Sequence, residues 1–203
     1  CFLPYHERPK GVYQMSAEQN INPSHEKDSF ETGLLPGYTR VIHSLEPVYD
    51  RNSRILILGS FPSVRSREQD FYYGHPQNRF WKLMERLLEE PFPPDYKSRK
   101  GILLLRGIAL WDVIRSCDIK GSSDQSIRNV VPMDLNRILK TASIRQIITN
   151  GSTAHGLYMK YCREQTGRDA VRCPSTSPAN AAFTLDRLAE AWAQALLPFL
   201  RKG

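Results

Sequence analysis

The segment Arg54 to Gly59 reads R-I-L-I-L-G, and this nearly continuous apolar run most restricts what the chain can become. A strand with one wetted face alternates apolar and polar residues; this run has nothing to turn toward water, so both its faces must be covered. That places it inside a mainly parallel sheet flanked by helices, the α/β layer fold reached when short strands and amphipathic helices alternate along a chain. The alternation continues. Shorter strand candidates stand at Ile108 to Trp111, Ile144 to Thr149 and Ala170 to Cys173. Helical spacing is clear from Phe80 to Leu88, with Pro91, Pro93 and Pro94 behind it, and over Leu185, Leu188, Ala189, Trp192, Ala195, Leu196 and Phe199, with Thr184 as N-cap. Asp95 to Arg106, Met133 to Thr141 and Thr153 to Gln165 are further helix candidates.

Residues 1–40 carry Pro4, Pro9, Pro23, Pro36, Gly11, Gly33 and Gly37 without a helical or strand period, so they read as an irregular polar extension. Residues 41–203 then form the folded domain. A net charge of +7 over 203 residues suits a polyanionic partner. No apolar run exceeds four residues, far below the roughly 18 of a membrane helix, so no membrane partner is expected. Cys1, Cys117, Cys162 and Cys173 are scattered, with no metal-ligand spacing. They read as reduced packing residues of a cytoplasmic protein, with no metal and no cofactor expected.

In open α/β sheets ligands bind beyond the carboxyl ends of the strands. Three segments there stand out: G-S-F-P-S at Gly59 to Ser63, Y-Y-G-H-P-Q-N-R-F-W at Tyr72 to Trp81, and P-S-T-S-P-A-N-A at Pro174 to Ala181. The stretch Ser60 to Gln77 is long for an idle loop in a compact domain. Each residue also has a plain structural reading. Gly59 to Ser63 reads as a strand-ending turn, Asn78 as a helix N-cap, Tyr72 and Tyr73 as core aromatics, His75 as a hydrogen-bonded structural histidine. Asp112 either orients a water or caps a turn. Ser60 is no hydrolase nucleophile, because G-S-F-P lacks the G-x-S-x-G elbow.

Taken together, G-S-F-P-S, Y-Y-G-H-P-Q-N-R-F-W, I-A-L-W-D-V-I at Ile108 to Ile114, T-N-G-S at Thr149 to Ser152 and P-S-T-S-P-A-N-A closely resemble the hypoxanthine-DNA glycosylases of the uracil-DNA glycosylase superfamily, in order over residues 41 to 200. The resemblance implies a three-layer α/β/α sandwich with a central four-stranded, mainly parallel sheet. It implies an enzyme that hydrolyses the N-glycosidic bond of deaminated bases in duplex DNA, acting as a monomer. Relatives in the mismatch-specific branch carry Asn third in the first motif, as G-I-N-P-G; here that position is Phe61. The catalytic residue implied is therefore Asn78, of H-P-x-N. Branches holding an iron–sulfur cluster need four placed cysteines, which this chain lacks.

Removing a base from deoxyribose leaves an oxocarbenium-like sugar and an anionic base, so a site must place a water at C1′ and stabilise charge on the base. An amide does not titrate near neutrality, so Asn78 positions water rather than deprotonating it, which favours bases that already leave well. Gly59, Ser60, Phe61, Tyr73 and Asn150 are the base-binding candidates, with Tyr73 stacking on the base. His75, Ser175, Thr176, Ser177 and Asn180 are the DNA-binding ones, the serines and Thr176 as phosphate donors. Arg51, Arg54, Arg65, Arg67, Arg79 and Lys82 against Glu68 and Asp70 give a local excess of four positive charges expected around the site. A hydrolase of free nucleosides and a non-catalytic binder of damaged DNA are the competing readings.

Overall fold

The structure is a computed structural model that describes residues 34–121 and 124–201. Most of the expected extension, and Cys1 with it, lies outside the described residues. The elements in chain order are β1 (Thr39–Ile42), β2 (Ile55–Gly59), α1 (Val64–Gln69), α2 (Phe80–Leu88), α3 (Tyr96–Leu105), β3 (Ile108–Asp112), β4 (Ile114–Ile119), β5 (Arg128–Pro132), α4 (Asn136–Leu139), β6 (Gln146–Asn150), α5 (Ser152–Tyr161), α6 (Arg163–Thr166), β7 (Val171–Cys173) and α7 (Leu185–Leu196). Strand β1 begins two residues before the boundary drawn at residue 41.

All four expected strands enter one parallel sheet, ordered β3-β2-β6-β7 and flanked by helices. Every residue of β2 and β3 is buried, as an apolar run with no wetted face requires. The outer edge of β3 does not stay open: Val48 and Leu110 exchange backbone hydrogen bonds of 3.0 and 2.8 Å. The register is even, pairing Gly59 with Asp112 and Asn150 with Cys173, so the carboxyl ends of the four strands finish side by side.

A second sheet, antiparallel in the order β1-β4-β5, was not legible in the sequence. Strand β4 follows β3 after the single residue Val113, so no turn signal separates them. Its I-R-S-C-D-I also buries Ser116 and Asp118, which defeats the apolar-in, polar-out pattern. Those polar groups are satisfied across the sheet. The Arg40 guanidinium donates to Asp118 (3.0 Å) and to Ser116 (3.2 Å), and the Asn129 amide donates to Asp118 (2.6 Å).

Helices α2 and α7 match their expected spans, and the Thr184 hydroxyl accepts from Arg187 N–H at 3.3 Å as the N-cap of α7. The Met133 to Thr141 candidate shortens to α4, and Thr153 to Gln165 divides into α5 and α6 at Cys162. Cys117, Cys162 and Cys173 are buried and stand outside any disulfide; burial pushes the Cys162 thiol up to about 11 and the Cys173 thiol to about 12. Among the described residues no group of three or more potential metal ligands exists, and no helix is long and apolar enough to cross a membrane.

Trp192 links this packing to the strand ends. It is fully buried on α7, meets the Phe80 ring of α2 edge-on, and donates its indole N–H to the carbonyl of Pro174 at 2.9 Å. Truncation leaves a cavity and an unpaired carbonyl. Trp192→Ala is expected to lower the unfolding free energy by roughly 3–5 kcal/mol, measured by denaturant titration.

Candidate active site at the strand ends

The carboxyl ends of the parallel strands open into a cavity of about 860 Å³. Of the expected site residues, Gly59, Ser60, Phe61, Tyr73, Asn78, Asn150, Ser175, Thr176, Ser177 and Asn180 all line it. His75 does not. Its Nδ1 accepts from Gln77 N–H at 3.2 Å and its carbonyl accepts from Asn78 N–H at 2.8 Å, so it shapes the turn that delivers Asn78.

The Y-Y-G-H-P-Q-N-R-F-W segment is mostly scaffold. Phe80 is fully buried and stacks on Tyr73, ring centroids 4.0 Å apart. Trp81 donates its indole N–H to the Tyr72 carbonyl at 2.9 Å and lies parallel to Phe71 at 5.5 Å. Tyr73 itself has a left-handed backbone, φ 55°, an unusual conformation for a bulky residue. The stacking and the following Gly74 hold it there.

Asn78 stands one residue before Arg79, the N-cap of α2. Its Oδ1 accepts from Phe80 N–H at 3.0 Å, capping α2, and also from the Thr176 hydroxyl at 2.9 Å. The donors on that side identify the oxygen, so the amide nitrogen is the group left for other work. Thr176 in turn accepts from Asn150 Nδ2 at 2.9 Å, while its backbone N–H donates to Asn150 Oδ1 at 2.9 Å. The three side chains form a chain of donors running from β6 through the 174–181 loop to α2.

That network corrects one expectation. Thr176 is 0% exposed and its hydroxyl proton is given to Asn78, so it is not placed to donate to a phosphate. Asn150 likewise spends both ends of its amide on Thr176 and works as a latch for the loop. Gly151 permits the closeness: its φ is 102°, and a Cβ there would come within 2.9 Å of the Ser175 Cβ.

The expected ring of charge is also smaller than six residues. Arg79 points inward, its guanidinium donating to the carbonyls of Thr176 (3.3 Å), Ser177 (2.6 Å), Asn180 (3.0 Å) and Phe183. It clamps the loop to the start of α2. Arg51 and Arg54 flank the amino end of β2, about 15 Å from the cavity for a five-residue strand. Arg67 lines the cavity, 5.5 Å over the Phe61 ring, and donates to the Pro62 carbonyl at 2.7 Å. Arg172, which spacing did not single out, lines it too.

Sequence reasoning missed His43. Its side chain is 1% exposed, and Nε2–H donates to Asp112 Oδ2 at 2.9 Å. A lone His after a short edge strand gives no signal by itself. Asp112 ends β3 beside Gly59, and a Cβ on Gly59 would fall 2.2 Å from Asp112 Oδ1 and 3.5 Å from Tyr73 Oη. Only glycine fits there. Burial, reinforced by the Asp112 charge, raises the Tyr73 phenol above its ordinary range; the nearby Asn150 amide opposes the shift without a hydrogen bond of ordinary geometry.

Arg79→Lys keeps the charge but cannot span four carbonyls. It is expected to cost roughly 2–3 kcal/mol and to open residues 174–183 to limited proteolysis, read by denaturation and by mapping the cleavage sites.

The profile of the Uracil DNA glycosylase superfamily matches residues 46–196. Two relatives are named hypoxanthine DNA glycosylase. The one from Methanosarcina acetivorans is 34% identical over 145 residues, 70% of this chain and 90% of its own. The one from Methanosarcina barkeri is 33% identical over 154 residues, 73% and 94% of the two chains. A solution NMR structure of a Methanosarcina acetivorans protein, provisionally named a uracil DNA glycosylase, superposes with a TM-score of 0.68 at 31% identity, covering 79% of this chain and 99% of that one.

Proposed function

The chain belongs to the uracil DNA glycosylase superfamily and is a DNA N-glycosylase, and we propose that hypoxanthine in duplex DNA is the base it removes. The observation that carries this reading is the fixed Asn78 amide at the mouth of a cavity large enough for a purine. A stacked nucleotide shields its glycosidic carbon, so the base must leave the helix to react, and a mispaired lesion is extruded most readily.

Asn78 acts through its amide nitrogen. With Oδ1 held by Phe80 and Thr176, one Nδ2–H donates to one lone pair of a water and leaves the other lone pair facing C1′. The water gives up its proton only after attack, to solvent or to the departed base anion, so bond breaking runs ahead of attack and the base must be a good leaving group. Deaminated bases meet that condition. Backbone N–H groups of the turns after β2 and β6 face the departing base and stabilise its charge. The enzyme acts as a monomer and monofunctionally, releasing the base and leaving an abasic site. Ser175, Ser177, Asn180 and His75 meet the DNA backbone around the cavity mouth, helped by Arg67 and Arg172.

Incubating the protein with duplexes holding one hypoxanthine, uracil or xanthine, then treating with alkali, is expected to cut the hypoxanthine strand. Lesion binding with no excision of any deaminated base would make it a binder, and a comparable rate on free inosine would make it a nucleosidase. Asn78→Ala should lower turnover by about 10²–10⁴-fold with DNA affinity nearly kept; full activity in that variant removes Asn78 from the mechanism.

Binding is expected to weaken steeply and linearly on a plot of log affinity against log salt. Arg172→Ala should flatten the slope by about one unit, measured by fluorescence anisotropy on an uncleavable duplex.

A further inference from the structure

The amino ends of the parallel strands, opposite the active-site cavity, carry arginines that the reaction does not use, and the backbone sets them in a row. Arg54 precedes β2; its N–H donates to the Gly107 carbonyl at 2.8 Å, and its carbonyl accepts from Arg145 and Gln146 N–H at 2.6 and 3.1 Å. Arg145 precedes β6 and Gly107 precedes β3. The Arg201 side chain packs over Gly107, where a Cβ would meet its Cγ at 3.3 Å. Arg201, Arg54 and Arg145 thus follow the strand order β3-β2-β6, and strands about 4.8 Å apart make the row about 10 Å long. Arg168 extends it: with Arg145 it lines a second cavity of about 500 Å³, shared with Ile144, Ile147 and Asp169.

These charges stand without counter-charge. Among the described residues none of Arg51, Arg54, Arg145, Arg168 and Arg201 enters an ion pair. The acids next to them are committed elsewhere: Asp169 to Arg163 at 2.5 Å, Glu90 to Arg106 at 3.0 Å, and Asp50 to the Asn52 N–H at 2.8 Å. Cations also suit the carboxyl ends of helices, which point to this end of a parallel sheet. Yet of the five side chains only Arg168 donates to a carbonyl, that of Ile144. Guanidinium forks left without a carboxylate suit phosphate oxygens.

We propose that this face binds a second segment of duplex DNA, separate from the one that presents its base to the active-site cavity. A five-residue strand holds the two faces about 15 Å apart. The duplex at the cavity lies beyond the carboxyl ends, so the arginines at the amino ends are out of its reach. An enzyme that holds two segments at once passes from one to the other without leaving DNA. Each added segment then speeds departure from the last, which serves an enzyme that inspects many undamaged sites for each damaged one.

The test loads the full chain with a donor-labelled duplex holding an uncleavable abasic-site analogue. Once anisotropy shows it bound, an acceptor-labelled undamaged duplex is titrated in. Energy transfer at low salt is expected, with a release rate of the first duplex that rises with the concentration of the second. Arg54→Gln combined with Arg145→Gln removes two side chains that make no ion pair among the described residues. In that variant the second duplex binds more weakly, its plot of log affinity against log salt flattens by about two units, and the release rate loses its dependence on the second duplex. Single-turnover excision from one short duplex stays unchanged. No energy transfer with the unaltered protein, or energy transfer that the variant leaves intact, overturns the proposal. An equal loss of excision or of first-duplex affinity also overturns it, because the arginines would then touch the same duplex. So does displacement of the second duplex by polyglutamate as readily as by DNA of equal charge, which would make the face a surface for an acidic protein. Denaturant unfolding is followed alongside; should the variant not fold, Arg51→Gln with Arg145→Gln, both at exposed residues, decides.

Discussion

The even register of four parallel strands is the constraint on which the rest of the molecule depends. Because Gly59 pairs with Asp112, Asn150 with Cys173, and Leu58 with Thr149, the strand ends form one ledge. Most of the polar groups in the cavity hang from it. Asp112 is the last residue of β3, Asn150 the last of β6, and the loops that carry Asn78 and Thr176 leave from β2 and β7. A slip of one residue in β2 would turn the carboxylate away from Gly59, since side chains alternate faces along a strand.

Two loops must then be held against each other, and loops lack the ladder that holds strands. Arg79 supplies the missing hydrogen bonds by offering one planar guanidinium to four carbonyls of the 174–183 segment. The Asn150, Thr176 and Asn78 chain fixes the same loop from its other side. Such a network is costly unless complete, because a buried polar group without a partner loses its hydration for nothing. Here its members satisfy one another, which explains why a loop so rich in Ser, Thr and Asn is ordered at all. The stiffness suits the role proposed for Asn78: an amide that cannot move holds a water without the entropy loss of finding it.

Much of this was legible in the sequence, for reasons that can be stated. Strands β2, β3, β6 and β7 and helices α2 and α7 announce themselves through apolar periodicity, and the cavity lies where a parallel sheet puts it. Ten of the expected site residues line that cavity because they follow strand ends. What stayed hidden depends on pairing across the chain. The β1-β4-β5 sheet buries Ser116 and Asp118 on partners 76 and 78 residues away, so its strands show no local pattern. His43 and Asp112 are 69 residues apart, and nothing near either one names the other. Arg79 and Thr176 were each read by chemical type alone, as a surface cation and a phosphate donor. Burial reversed both meanings, and burial is set by tertiary contacts that residue type does not encode.

A carboxylate beside a departing base brings a further consequence. The leaving base gathers negative charge, and the Asp112 carboxylate on the cavity floor opposes it; at an effective dielectric near 20, two like charges about 5 Å apart repel by about 3 kcal/mol. His43 relieves the conflict, since a donated N–H draws charge toward Oδ2 and away from the cavity. Phe61 belongs to the same arrangement. Its ring meets His43 edge-on at a centroid distance of 6.0 Å, walling the His43 and Asp112 pair from solvent. A polar amide at that position would compete for the same histidine. Phe61 thus serves as an apolar wall that keeps the His43 and Asp112 hydrogen bond dry.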